Sequence, residues 1–148
     1  MHLAGDGRGR PLSIVLTAGQ VHESTQLEPT LDAIRVPRPG RGRPRKRPDR
    51  LLADKGFSYP RCRRALRRRG IPHTIPERRD QQRQRRAKGR RGGRPPAFDR
   101  LAYRRRNAIE RCINRLKQFR GLAMRYEKRA VNYRAMVVLA AIVIWLTA

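Results

Sequence analysis

Acidic residues are scarce in this chain: 11 Asp and Glu stand against 38 Lys and Arg in 148 residues, a formal charge of +27. That imbalance excludes an incidental solvated surface, because self-repulsion on this scale opposes compaction unless a polyanion neutralises it. Nucleic acid is the economical partner. The positive charge is mostly arginine, which suits bidentate phosphate contacts, and release of condensed counterions makes such binding steeply salt-dependent. Cysteine is scarce too. Cys62 and Cys112 form no C-x-x-C pair and His2, His22 and His73 are isolated, which removes a zinc site and leaves buried, reduced thiols. Long hydrophobic runs are absent. The stretch Met136 to Trp145 is apolar throughout but far short of the roughly 20 residues of a membrane span, so it reads as a core helix with Trp145 inside it. No secretory pattern follows Met1, which is succeeded at once by polar and glycine-rich sequence; the expected location is the cytoplasm, around the nucleoid, with no membrane partner. No helix-turn-helix or zinc-finger pattern offers to read bases, so contacts to the nucleic-acid backbone are expected.

What remains is one domain's worth of chain with an apolar fraction of 38%, enough for a modest core. The first 17 residues read as a hairpin, His2–Ala4 and Leu12–Thr17, around the turn Gly5-Asp6-Gly7-Arg8-Gly9, where Asp-Gly favours a turn role for Asp6 over a catalytic one. Leu12, Ile14 and Leu16 alternate on one face of the second strand. Leu27, Leu31 and Ile34 fall at helical spacing within residues 23–36, with Ser24 and Glu28 at the start. Residues 37–48 are almost entirely Pro, Gly and Arg, an exposed basic loop. Leu51 to Asp54 is expected as a short buried strand, residues 60–69 as a basic helix stopped by Gly70, and residues 72–76 as a brief strand with prolines at its edges. Residues 78–98 open with arginine or lysine at positions 78, 79, 83, 85, 86, 88, 90, 91 and 94 and are expected as a flexible loop without a polyanion. A helix opened near Asp99 runs to Gly121, with Ala102, Ile109, Ile113 and Leu116 as its apolar face, and residues 131–146 close the chain.

On that penultimate helix, Tyr103, Arg106, Glu110 and Lys117 are spaced three, four and seven residues apart. At about 100° per residue they project within roughly 60° of one another. A carboxylate flanked by an arginine, a lysine and a tyrosine, with a second carboxylate, Asp54, at a strand end, suits divalent-metal phosphoryl transfer on a nucleic acid. Taken singly, Asp54 reads as a strand-end or helix-capping aspartate, and Glu110 as half of an intrahelical pair with Arg106.

The order Y-x2-R-x3-E-x6-K resembles the signature of DDE transposases of insertion-sequence family five. Ala53-Asp54-Lys55-Gly56-Phe57 is similar to that family's second-aspartate motif, and Arg106-Asn107-Ala108-Ile109-Glu110-Arg111-Cys112 to its glutamate motif. The resemblance covers essentially the whole chain. It implies an α/β, ribonuclease H-like fold with C-terminal helices, residues 1–148 forming part of a catalytic domain whose first, central strand and first catalytic aspartate lie upstream of Met1. It implies magnesium held by Asp54 and Glu110, Lys117 touching the transposon end, Arg106 supporting the site, and Tyr103 orienting DNA or Glu110. Lys55 is a further candidate for phosphate contact. The implied partner is double-stranded DNA, both transposon ends and target. The chain is then expected to bind DNA and to be inactive alone, working as a homodimer or joined to an upstream reading frame that restores the first aspartate. A non-enzymatic basic nucleic-acid-binding protein is the alternative from another class.

Overall fold

The computed structural model describes residues 1–147 and is mixed α and β, divided into two compact units: Met1–Arg47 with the segment from Arg106 onward, and Pro48–Arg105. The first unit opens on a hairpin, β1 (His2–Gly5) and β2 (Pro11–Val15), paired antiparallel with Leu3 opposite Ile14. Asp6 makes the turn, as expected. Its Oδ1 accepts the backbone N–H groups of Arg8 and Arg10, both at 2.9 Å, and its Oδ2 takes the Arg10 guanidinium at 2.6 Å. Gly9 is required there: its φ is +80°, and a β-carbon would meet the Ala108 carbonyl oxygen at 3.0 Å.

The alternation expected along the second strand is not the one observed. Ser13 and Pro11 are buried, and Ser13 Oγ donates to the Thr30 carbonyl at 2.7 Å. The hairpin is covered on both faces, so a polar residue goes inward because a backbone acceptor awaits it. The helix expected over 23–36 is shorter, a 3-10 turn at Glu23–Thr25 and α1 at Leu27–Asp32, with Leu27, Leu31 and Ile34 buried as the spacing predicted. His22, not Ser24, caps the 3-10 turn: its ring nitrogen accepts the Ser24 N–H. Residues 37–47 follow as exposed chain, pinned once by mutual backbone hydrogen bonds between Val36 and Arg45.

The second unit contains a parallel pair, β3 (Leu51–Leu52) and β4 (His73–Thr74), bridged by α2 (Pro60–Arg68). A crossover helix is what a parallel pair requires. Pro60 occupies the first turn, where its missing N–H costs nothing, and Gly70, at φ +59°, stops the helix. Cys62, Ala65 and Leu66 point from α2 into a core shared with Ile71, Thr74 and Ile75. β3 is shorter than expected and half-buried, since Ala53 ends the pairing and Asp54 turns the chain into a 3-10 helix, Lys55–Phe57. Where residues 78–98 were expected as loop, α3 (Arg79–Ala87) and a 3-10 turn (Gly89–Gly92) stand instead. Arginine and glutamine are good helix formers, and polar contacts from this segment to Ser58, Tyr59 and Glu77 hold it. α4 (Arg100–Arg104) closes the unit, capped by Asp99, whose Oδ1 accepts the Ala102 N–H at 2.9 Å.

Back in the first unit, α5 (Asn107–Lys117), α6 (Arg120–Ala123) and α7 (Ala130–Leu146) complete the chain. Cys112, Leu116, Leu122, Val137, Ala140 and Ile144 form the core, with Leu3, Ile14, Ile109 and Phe119 packed against it. The apolar face of α5 is thus rotated toward Ala108 and Cys112, small residues that let the hairpin turn approach α5 closely. Cys112 and Cys62 are buried thiols outside any disulfide among the described residues, and burial pushes the Cys112 thiol up, so it stays protonated. α7 is a core helix on one side only. Leu139, Ile142 and Leu146 are exposed, and Trp145 lies at the rim, its indole N–H donating to the Pro11 carbonyl at 2.7 Å with the Arg10 guanidinium over its ring. No helix among the described residues is long and apolar enough to cross a membrane.

The elements therefore follow the expected order, strand, strand, helix, strand, helix, strand, helix, with α3 and α6 added and the helix expected from Asp99 to Gly121 divided into α4 and α5. The strands form two separate two-stranded sheets rather than one.

Candidate active site

Asp54 lies at the end of β3, half-buried, and its Oδ1 accepts the Gly56 N–H at 2.8 Å. The extended backbone of Asp54 (ψ 176°) presents the carboxylate to the first turn of the 3-10 helix, the usual geometry of an N-cap. Lys55 follows on the exposed side of that turn. The other oxygen of Asp54 makes no hydrogen bond or ion pair among the described residues.

The stripe expected to run from Tyr103 to Lys117 is broken. α4 ends at Arg104, and residues 105 and 106 keep right-handed backbone angles with ψ of −14° and −23°, closer to a 3-10 turn than to an α-helix. Hydrogen bonds from Arg105 N to Ala102 O and from Ile109 N to Arg106 O tighten the chain there. Tyr103 consequently belongs to the second unit, with its ring 5.1 Å from that of Phe98. Arg106, Glu110 and Lys117 belong to the first.

α5 itself is built as the sequence implied. Ala108, Cys112 and Leu116 recur every four residues and face inward, which turns Glu110 and Lys117 outward, two turns apart on one side. Arg106 Nη2 donates to Glu110 Oε1, an intrahelical pair in which the Glu110 side chain is 51% exposed. At that exposure the pair contributes only a few tenths of a kcal/mol. Glu110 Oε2 makes no hydrogen bond or ion pair among the described residues. Both carboxylates thus stand in the ordinary structural roles their neighbours allow, each with one oxygen still open.

Carboxylate oxygens are the hard donors that magnesium takes. In kind, Asp54 and Glu110 fit that ion. In number they do not complete a site: no group of three or more His, Cys, Asp or Glu side chains is placed to hold a metal among the described residues.

The family of transposase DDE domains matches residues 1–146. The chain belongs to that family. Consistent with this, a Burkholderia cepacia protein named as the proposed transposase of insertion sequence element IS402 is 36% identical over 143 residues, 97% of this chain and 60% of that protein. This transposase domain chain therefore spans about three fifths of the relative's length. No solved structure matches the chain significantly.

One feature of the domain went unread in its sequence. Glu77 holds Arg85 bidentately, Nε to Oε1 at 3.1 Å and Nη2 to Oε2 at 2.7 Å, and the Arg85 hydrogen bonds hold the Glu77 carboxyl below the usual carboxylate range. The signal was there in the helical spacing of Arg78, Gln81, Gln82 and Arg85, masked by the density of charge around it.

Proposed function

We propose that this chain is the larger part of the catalytic domain of an insertion-sequence transposase, of the family-five type, and that the complete protein cuts DNA at transposon ends and joins the freed 3′-hydroxyls to target DNA. Family membership over residues 1–146 is the observation that carries the reading. The proposed fold of the whole domain is ribonuclease H-like, its sheet completed by a strand that this chain does not contribute. Asp54 and Glu110 are the proposed carboxylates from this chain, each retaining an oxygen free to bind magnesium. Bound there, the metal would activate water or a 3′-hydroxyl and stabilise the departing oxygen. Lys117, on the same side of α5 as Glu110, and Lys55, beside Asp54, are the residues proposed to hold DNA phosphates. Arg106 orients Glu110 through their shared hydrogen bond, and Tyr103 contacts DNA from the end of α4.

A second reading rests on one specific observation: Asp54 caps a 3-10 turn and Glu110 pairs with Arg106, so both acids already have structural employment. Under that reading the domain is a basic, non-enzymatic nucleic-acid-binding protein, and magnesium acts only by screening.

The test is strand transfer of labelled transposon-end duplex in magnesium by this chain and by the chain extended through the coding sequence immediately upstream. Transfer by the extended protein and none by the chain alone is expected. DNA binding by both without transfer by either favours the second reading.

A further inference from the structure

α3 has no buried residue. Helices of nine residues are marginal in isolation, and one that is polar on every side is held by its polar contacts or not at all. Those contacts lie on a single stripe. Arg78 Nη1 donates to Tyr59 Oη at 2.6 Å, Gln81 exchanges hydrogen bonds with Ser58 (Oγ to Oε1 at 2.8 Å, Nε2 to the Ser58 carbonyl at 2.7 Å), Gln82 donates to the Glu77 carbonyl, and Arg85 grips Glu77. These four positions are the more buried ones of the segment.

A second stripe, rotated by about 120° around the same helix, consists of Arg79, Arg83 and Arg86, and Arg90 stands in the 3-10 turn that follows. All four are exposed, and none of their guanidinium groups donates a hydrogen bond or forms an ion pair among the described residues. Spacings of four and three residues put Arg79, Arg83 and Arg86 side by side on the helix, where like charges repel, and Arg90 follows after Gly89, at φ +52°, has turned the chain. A docked helix carrying a row of unpaired guanidiniums is unfavourable for the free protein and favourable against a row of anions. From Arg79 to Arg86 the stripe runs roughly 10 Å, against a rise of about 3.4 Å per phosphate along one DNA strand. Guanidinium forks also match phosphate geometry bidentately.

We propose that α3 is a duplex-DNA backbone clamp: Arg79, Arg83, Arg86 and Arg90 contact phosphates independently of sequence, while Gln81, Gln82 and Arg85 fix the helix to its unit. The inference rests on the DNA-acting reading above and adds the element that supplies affinity, separate from the carboxylates. No base is read, because every member of the set is an exposed arginine and no Asn or Gln stands among them.

The experiment is binding of a labelled duplex of arbitrary sequence by the full chain between about 50 and 200 mM salt. Three variants are compared with the parent: the four arginines changed to Gln, the same four changed to Lys, and an equal-charge control with Arg38, Arg41, Arg43 and Lys46 changed to Gln. Each phosphate contact contributes about 0.9 to the slope of log affinity against log salt, so the Gln stripe variant is expected to lose roughly 3 to 4 from the slope. The Lys variant should keep it and the loop control should lose less than about 1. An unchanged slope in the Gln stripe variant, an equal loss in the loop control, or a collapse in the Lys variant overturns the clamp. So does a stripe variant that keeps duplex binding and loses only RNA. A parent chain that binds no duplex at all brings down the DNA-acting reading itself, whereas normal binding by parent and stripe variant alike brings down only the clamp.

Discussion

Glu110→Gln in the upstream-extended protein is expected to reduce strand transfer by a factor of about 1,000 or more while leaving the fold and DNA affinity intact. The two effects separate because they have different sizes. Glu110 is 51% exposed and its pair with Arg106 is an i, i+4 contact on a solvated helix face, worth a few tenths of a kcal/mol. Glutamine keeps the shape and can still accept from Arg106, so the melting temperature should move by no more than a degree or two. Loss of a metal-binding charge is another matter, since about 1.4 kcal/mol of transition-state stabilisation is a factor of ten in rate. A variant that retains transfer within tenfold would leave Glu110 as a helix-surface residue and nothing more. The comparison is read from transfer product and from thermal unfolding of the same preparations.

Leu66→Ala should destabilise the Pro48–Arg105 unit by about 2 to 5 kcal/mol. Leu66 is fully buried on α2, among Cys62, Ala65, Ile71 and Ile75, so truncation leaves a cavity that two-residue strands can do little to close. The unit has under about 60 residues, a size at which a single core is marginal, and at roughly 0.05 to 0.15 kcal/mol per residue its whole stability is of the same order as the loss. Amide exchange across α2 and β4 is therefore expected to approach the unprotected rate, with α5 and α7 far less affected. Leu101→Ala, at a side chain 74% exposed, should change nothing beyond about 0.5 kcal/mol. Equal protection of α2 in both variants would contradict the assignment of this core.

The elements that sequence periodicity exposed are those with an apolar face. Leu27, Leu31 and Ile34, the Pro60-to-Gly70 helix, the Asp99 cap and the closing helix all stand where spacing and capping chemistry put them. Tertiary contacts decided the remainder. Ser13 is buried because Thr30 presents a carbonyl to it, and α3 is helical because Glu77, just before it, and Ser58 meet its polar stripe; Thr30 and Ser58 are distant in sequence. The break at residues 105 and 106 was hidden because Tyr103 and Glu110 keep helical spacing across it. For the candidate site, Asp54 and Glu110 were legible as motif words. Their immediate partners, the Gly56 N–H and the Arg106 guanidinium, were legible too, since both lie within four residues. Whether a metal site forms could not be read locally, because metal ligands converge from segments distant in sequence.

Ferrous-iron cleavage tests the central claim most directly. With Fe2+ in place of magnesium, and ascorbate and peroxide added, radicals formed at a bound ion cut the backbone beside its ligands. In the upstream-extended protein the account predicts cuts flanking both Asp54 and Glu110, suppressed by excess magnesium and lost at both places in Glu110→Gln. Cuts at neither segment, or cuts that the substitution leaves unchanged, would contradict it.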